Sequence, residues 1–130
     1  MARILIADDD PMVVQLVEFK LTRRGHQVVS ATDGASALDV ATRERPDLVV
    51  LDAMMPALSG VEVLRRLSEN ADTASIPVVM LTARRREQDV VEALKLGARK
   101  YLVKPFMPEE LMARIEAILA AQKTAPRRAP

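Results

Sequence analysis

Short apolar runs alternate along this chain with longer stretches whose apolar residues recur every three or four positions. Ile4-Leu5-Ile6-Ala7, Leu48-Val49-Val50-Leu51 and Val78-Val79-Met80-Leu81 are apolar without interruption, as strands covered on both faces are. Gln27 to Ala31 and Lys100 to Val103 read as two more strands. Val13, Leu16, Val17, Phe19 and Leu21 give the first helical stretch an apolar face. Pro11 suits its first turn, where a missing N–H is no loss, and Gly25 suits its end. Asp33-Gly34 predicts a turn, after which Ala37, Leu38 and Ala41 mark a helix that stops before Pro46. A loop over 53–59 leads to Gly60 and a helix using Val61, Val63, Leu64 and Leu67. Val90, Val91, Leu94 and Leu96 stripe a fourth helix closed by Gly97, and Leu111, Ile115, Ile118 and Leu119 stripe a fifth. Five strand–helix alternations with short connections predict an α/β domain: a parallel five-stranded sheet, right-handed crossovers and helices on both faces.

Four of the predicted strands end on polar residues. The first runs into Asp8 and Asp9, the third into Asp52, the fourth into Thr82 and the fifth into Lys104-Pro105. In an open α/β sheet ligands bind beyond the carboxyl ends of the strands, near the switch point of strand order. Three carboxylates, a hydroxyl and an ammonium are therefore expected at one edge. Carboxylates about 4 Å apart repel by roughly 4 kcal/mol at an effective dielectric of 20. Such a cluster needs a shared proton or a cation. Oxygen donors without His or Cys favour Mg²⁺, or Mn²⁺, over zinc, and Mg²⁺ commonly shares its octahedron with a phosphate. Asp52, at the end of the central strand, is the best-placed nucleophile; attack on phosphorus would give an acyl phosphate. Thr82 and Lys104 can each cover a phosphoryl oxygen, because phosphoryl transfer is mostly positioning and charge neutralisation. Taken singly, each residue has a plainer role. Asp8 to Asp10 before Pro11 can cap a helix, Asp52 can open a turn, Thr82 can cap and Lys104 can be a solvated charge. Their joint placement at strand ends carries the argument.

Composition narrows the class. The 130 residues suit one domain. With two Phe, one Tyr and no Trp, its core must be mainly aliphatic. Without cysteine there are no disulfides or thiolate metal sites. No signal-peptide pattern or apolar span is present, so a soluble cytoplasmic domain without membrane contact is expected. The net charge of +1 conceals an asymmetry: residues 1–83 carry 8 Lys/Arg against 12 Asp/Glu, whereas residues 84–130 carry 11 against 6. The basic half includes Arg84-Arg85-Arg86, but Glu87, Asp89 and Glu92 interrupt it and aromatics for base stacking are nearly absent. A solvated or protein-docking face is expected there, with no direct nucleic acid binding. From Lys123 the composition turns to Lys-Thr-Ala-Pro-Arg-Arg-Ala-Pro, so residues 1–122 are taken as the domain and 123–130 as a flexible basic tail or the start of a linker.

At the strand ends the chain resembles the receiver domains of two-component response regulators. The resemblance runs from about Arg3 to Ala121. It rests on Ala7-Asp8-Asp9-Asp10-Pro11, Leu51-Asp52-Ala53-Met54-Met55-Pro56 with Gly60, Met80-Leu81-Thr82-Ala83, and Tyr101-Leu102-Val103-Lys104-Pro105-Phe106. It implies the flavodoxin-like strand order 2-1-3-4-5. It also implies that Asp52 takes a phosphoryl group from a partner histidine kinase or phosphotransfer protein, and that Asp9, Asp52 and the Met54 carbonyl hold Mg²⁺, with Asp8 in the acidic pocket acting through water. Lys104 would hold a phosphoryl oxygen, before a Lys104–Pro105 bond of the kind that can be cis. Thr82 would move toward the phosphoryl group and let Tyr101 turn inward, altering the surface made by the fourth helix, fifth strand and fifth helix.

Ser59 stands where an acid often precedes the loop glycine, yet it can still cap the next helix. Met54 and Arg84 flank the approach of a hydrolytic water and suggest partial shielding. His26, the only histidine, reads as an exposed polar residue at a turn, which leaves the donor histidine on another chain. The output is a downstream protein partner or a fused effector. Arg99, Lys100 and Arg114 leave phosphorylation-dependent homodimerisation open. Two rival classes are weaker. A haloacid-dehalogenase-type hydrolase wants an Asp two residues past the nucleophile, where Met54 stands, and room for a cap domain. A dinucleotide-binding enzyme wants a Gly-rich turn after the first strand, where Asp-Asp-Asp-Pro stands. The chain is thus read as a phosphoacceptor switch and not a turnover enzyme.

Overall fold

A computed structural model describes residues 2–82 and 87–124. Five strands, β1 (Arg3–Ala7), β2 (Gln27–Ala31), β3 (Leu48–Asp52), β4 (Val78–Thr82) and β5 (Lys100–Val103), form one parallel sheet in the order β2-β1-β3-β4-β5. Helices α1 (Pro11–Arg23), α2 (Gly34–Glu44), α3 (Gly60–Glu69), α4 (Glu87–Lys95) and α5 (Pro108–Thr124) connect and cover them. Both the expected fold class and the strand order are what the structure has.

Alternate strand residues point to opposite faces of a sheet, and this chain uses both. Ile4, Ile6, Leu48, Val50, Val79, Leu81 and Leu102 pack against Val17 and Leu21 of α1 and Leu111, Ile115 and Ile118 of α5. Leu5, Val49, Leu51, Val78 and Met80 pack on the other side against Ala37 and Ala41 of α2, Val63, Leu64 and Leu67 of α3, and Ala93 of α4. The sheet therefore separates two cores, which is why β1, β3 and β4 lack any polar alternation.

Local chemistry ends the helices where the sequence suggests. Asp10 accepts the Met12 N–H at 3.0 Å as the cap of α1, with Pro11 in the first turn. Gly25, at φ +88°, follows the end of α1. Ser59 caps α3 by accepting the Glu62 N–H at 3.2 Å.

Some expectations need correction. Leu16 and Phe19 do not belong to the buried face of α1; Val14 takes that place, and Phe19 is 59% exposed with the Arg23 guanidinium 5.5 Å from its ring centroid. Val91 and Leu94 likewise face out from α4, while Ala93 faces in. Asp33-Gly34 is not a free turn: Asp33 caps α2, accepting the Ser36 N–H at 2.7 Å, and Gly34 is its first residue. His26 is not an exposed polar residue. Its side chain is only 7% exposed; Nδ1 accepts the Ala2 N–H at 3.1 Å, which leaves Nε2 to donate to Glu116 of α5 at 3.0 Å. The fifth helix runs to Thr124, two residues past the expected domain boundary at residue 122. Arg84, Val90's side chain and the tail beyond Thr124 lie outside the described residues.

The difference between the two faces of a helix is measurable. Truncating Ile115, fully buried between α5 and the sheet, to Ala should cost about 2–5 kcal/mol of unfolding free energy by urea titration. Phe19→Ala on the outer face of α1 should stay within about 0.5–1 kcal/mol of the parent.

Candidate functional site

Register sets the site. Ala7 of β1 pairs with Leu51 of β3, so Asp8 and Asp52, the next residue on each, arrive side by side at the point where the chain order of the sheet reverses. Asp52 in turn pairs with Leu81, which precedes Thr82. Thr82 pairs with Val103, and the Lys104 N–H donates to the Thr82 carbonyl at 2.7 Å. The expected residues thus share one edge of the sheet.

Asp8 is fully buried. Its Oδ1 accepts the Asp10 N–H at 2.9 Å. Its Oδ2 receives no well-directed hydrogen bond, although the Lys104 Nζ lies 2.7 Å away as an ion pair. Asp52 is 4% exposed; Oδ1 accepts the Met54 N–H at 3.2 Å and Oδ2 lies 3.6 Å from Lys104 Nζ. Asp9 is exposed, and one oxygen from each of Asp8, Asp9 and Asp52 lies within 4.8 Å of the other two. The run of three acids divides its labour: Asp10 caps α1 while Asp8 and Asp9 serve the pocket. Thr82 is buried at the same edge, and Tyr101 is half-buried against the core beneath α2 and α3. Met54 is half-exposed beside Asp52; the matching role expected of Arg84 falls outside the described residues.

Burial raises the Asp52 pKa from 3.8 to about 6. The Met54 N–H opposes the rise, the Asp8 charge adds to it, Lys104 opposes it, and Asp9 adds to it. For Lys104 desolvation is the largest single influence and disfavours its charge, but Asp8 and Asp52 together outweigh it and raise its pKa. Like charges no more than 4.8 Å apart repel by roughly 3 kcal/mol or more at an effective dielectric of 20. Among the described residues one ammonium faces these three carboxylates, which leaves the pocket short of positive charge. All-oxygen donors of this kind fit a hard divalent cation.

One contributor was noted in the sequence only as a loop glycine. A Cβ at Gly60 would lie 1.9 Å from the Asp52 carbonyl oxygen, and the Gly60 N–H donates to the Ala53 carbonyl at 2.9 Å. The start of α3 rests directly on the end of β3, which only a residue without a side chain permits.

A family model, the response regulator receiver domain, matches residues 4–116. The chain belongs to this family, the receiver domains of two-component signalling. It is 44% identical over 123 residues to the alkaline phosphatase synthesis transcriptional regulatory protein PhoP of Bacillus subtilis, covering 95% of this chain but 50% of that one. It is 42% identical over 120 residues to the protein PilH of Pseudomonas aeruginosa, covering 92% of this chain and 99% of that one. The chain therefore spans about half of the first relative and nearly all of the second. Among solved structures, the receiver domain of the Pseudomonas aeruginosa sensor histidine kinase PA1611, with a magnesium ion coordinated in its active-site cleft, is 28% identical. It superposes with a TM-score of 0.83 over 92% of this chain and 98% of that one. Among the described residues no helix is long and apolar enough to cross a membrane.

The raised pKa of Asp52 fixes the sign of a pH effect. Between pH 3.8 and about 6 the folded protein binds this proton more tightly than the unfolded chain does, so metal-free stability falls as pH rises through that window. Asp52→Asn cannot titrate and should escape the loss. In chelator-treated samples its advantage over the parent should grow from pH 4 to pH 6.5, to on the order of 2–3 kcal/mol by denaturant titration.

Proposed function

We propose that the domain is a phosphorylation-activated switch in which Asp52 accepts one phosphoryl group from a histidine on a partner kinase or phosphotransfer protein. The observation that carries this reading is the convergence of Asp8, Asp9 and Asp52 on one pocket bridged by Lys104. An Asp52 carboxylate oxygen attacks phosphorus; the donor's N–P bond breaks, and its electron pair returns to the imidazole nitrogen. Asp9, Asp52 and the Met54 carbonyl are the residues assigned to hold Mg²⁺, with Asp8 reaching it through water; Mn²⁺ suits the same donors. Bound there, the cation supplies charge neutralisation for the phosphoryl oxygens. Lys104 already lies 3.6 Å from the Asp52 carboxylate and is placed to pair with a phosphoryl oxygen. Thr82, buried at the neighbouring strand end, is assigned the hydroxyl that moves toward that group. Tyr101, half-buried on β5, is assigned the side chain that follows it inward and changes the surface of α4, β5 and α5. Residues 1–122 are the switch itself. Its output passes to a protein partner or to an effector in the same polypeptide.

A partner that delivers a phosphohistidine must dock beside the pocket. Met12, Leu16 and Phe19, all exposed, follow i, i+4, i+7 spacing along α1, whose first residue is next to the Asp10 cap. Such spacing presents one apolar stripe to another helix. This supports a helical phosphodonor on the α1 side of the pocket.

Intact-mass measurement after incubation with phosphoramidate and Mg²⁺ should give one phosphoryl group per chain, and none in Asp52→Asn. Labelling that persists in that variant, or turnover of many phosphate esters, would overturn the assignment. Leu16→Lys should leave labelling by phosphoramidate intact but slow transfer from a partner kinase by tenfold or more; equal slowing of both would place the stripe outside the docking surface.

A further inference from the structure

We infer that Gly34, on a helix outside the acidic pocket, is a positioning residue for the cation site. This rests on the proposed Mg²⁺ ligand set, and specifically on the Met54 carbonyl. That carbonyl belongs to the loop 53–59 between β3 and α3. One end of the loop is fixed where Gly60 rests on the end of β3. Its middle is a tight turn: the Leu58 N–H donates to the Pro56 carbonyl at 2.7 Å, around Ala57 at φ +69°. Left-handed backbone at a residue with a side chain is unfavourable by about 1 kcal/mol or more and persists only when its surroundings enforce it.

The first residue of α2 is what abuts this turn. The Gly34 N–H donates to the same Pro56 carbonyl at 3.2 Å. A Cβ at Gly34 would lie 1.7 Å from the Leu58 carbonyl oxygen, 2.5 Å from the Leu58 carbonyl carbon and 2.7 Å from its Cβ. Two of these three are backbone atoms, so no rotamer change could relieve the clash. Helix and loop are in main-chain contact, and any side chain at position 34 must drive them apart. Asp33 fixes the helix end itself, its carboxylate accepting the Ser36 N–H at 2.7 Å and the Ser36 hydroxyl at 3.0 Å. The brace is therefore rigid on the α2 side. Displacement of the loop is transmitted toward Met54, two residues before the doubly used Pro56 carbonyl, and would move one ligand out of register with Asp9 and Asp52.

Calorimetric titration with MgCl₂ at pH 7.5, on the wild type and on Gly34→Ala, tests this. The expected result is Mg²⁺ affinity weakened about five- to twentyfold in the variant, with thermal unfolding showing a smaller Mg²⁺-induced rise in Tm as well as a lower metal-free Tm. A purely architectural glycine would lower both Tm values equally and leave the Mg²⁺-induced rise intact; that result overturns the inference. If Gly34→Ala does not fold, the wild type decides by ¹⁵N NMR: the amide resonances of Gly34 and Leu58 should shift on saturation with Mg²⁺, and unmoved resonances overturn the brace. A wild type that binds no Mg²⁺ overturns the cation reading itself, which is a different outcome from tight binding unaffected by Gly34→Ala.

Discussion

The mutual repulsion of the carboxylates at the ends of β1 and β3 is the constraint around which this molecule is organised. Parallel pairing of Ala7 with Leu51 forces Asp8 and Asp52 together, and both are withdrawn from water. A sheet built only for stability would not place them so. Lys104 relieves part of the conflict by leaning on Asp8 at 2.7 Å and standing 3.6 Å from Asp52. Burial, with the Asp8 charge adding to it, still leaves the Asp52 pKa raised. The pocket is thus poised to gain positive charge, and the cost of assembling it is carried by two large aliphatic cores on either side of the sheet.

Most of this was readable from residues alone, for a physical reason. Strands buried on both faces leave continuous apolar runs, and a parallel sheet gathers the residues that end those runs. Asp8, Asp52, Thr82 and Lys104 could therefore be placed together without coordinates. Helix faces were harder. Leu16, Phe19, Val91 and Leu94 fit an apolar stripe as well as the truly buried Val14 and Ala93 do, because a helix with two apolar sides has no single phase. Size misled as well: Ala93 is too small to stand out in a pattern, yet it is fully buried in the core on that face of the sheet.

Backbone-to-backbone contacts were invisible for a different reason. Nothing in a one-dimensional string says that Gly34 touches Leu58 or that Gly60 touches the Asp52 carbonyl. The four glycines fall into two kinds. Gly25 and Gly97 have positive φ with open space around them, whereas Gly34 and Gly60 have no room for a Cβ. Only three-dimensional neighbours distinguish a turn former from a spacer. The residue type is the same; the physical demand is not.

The setting of His26 has a consequence for what an imidazole in this chain can do. Both nitrogens of the sole imidazole are occupied, one by the start of the chain and the other by Glu116 of α5, and its side chain is almost wholly enclosed. An imidazole tied up in this way has no lone pair to offer an incoming phosphorus atom. The one histidine of this chain is thus a tie between the residue before β1 and the last helix, with neither ring nitrogen free to act as a nucleophile.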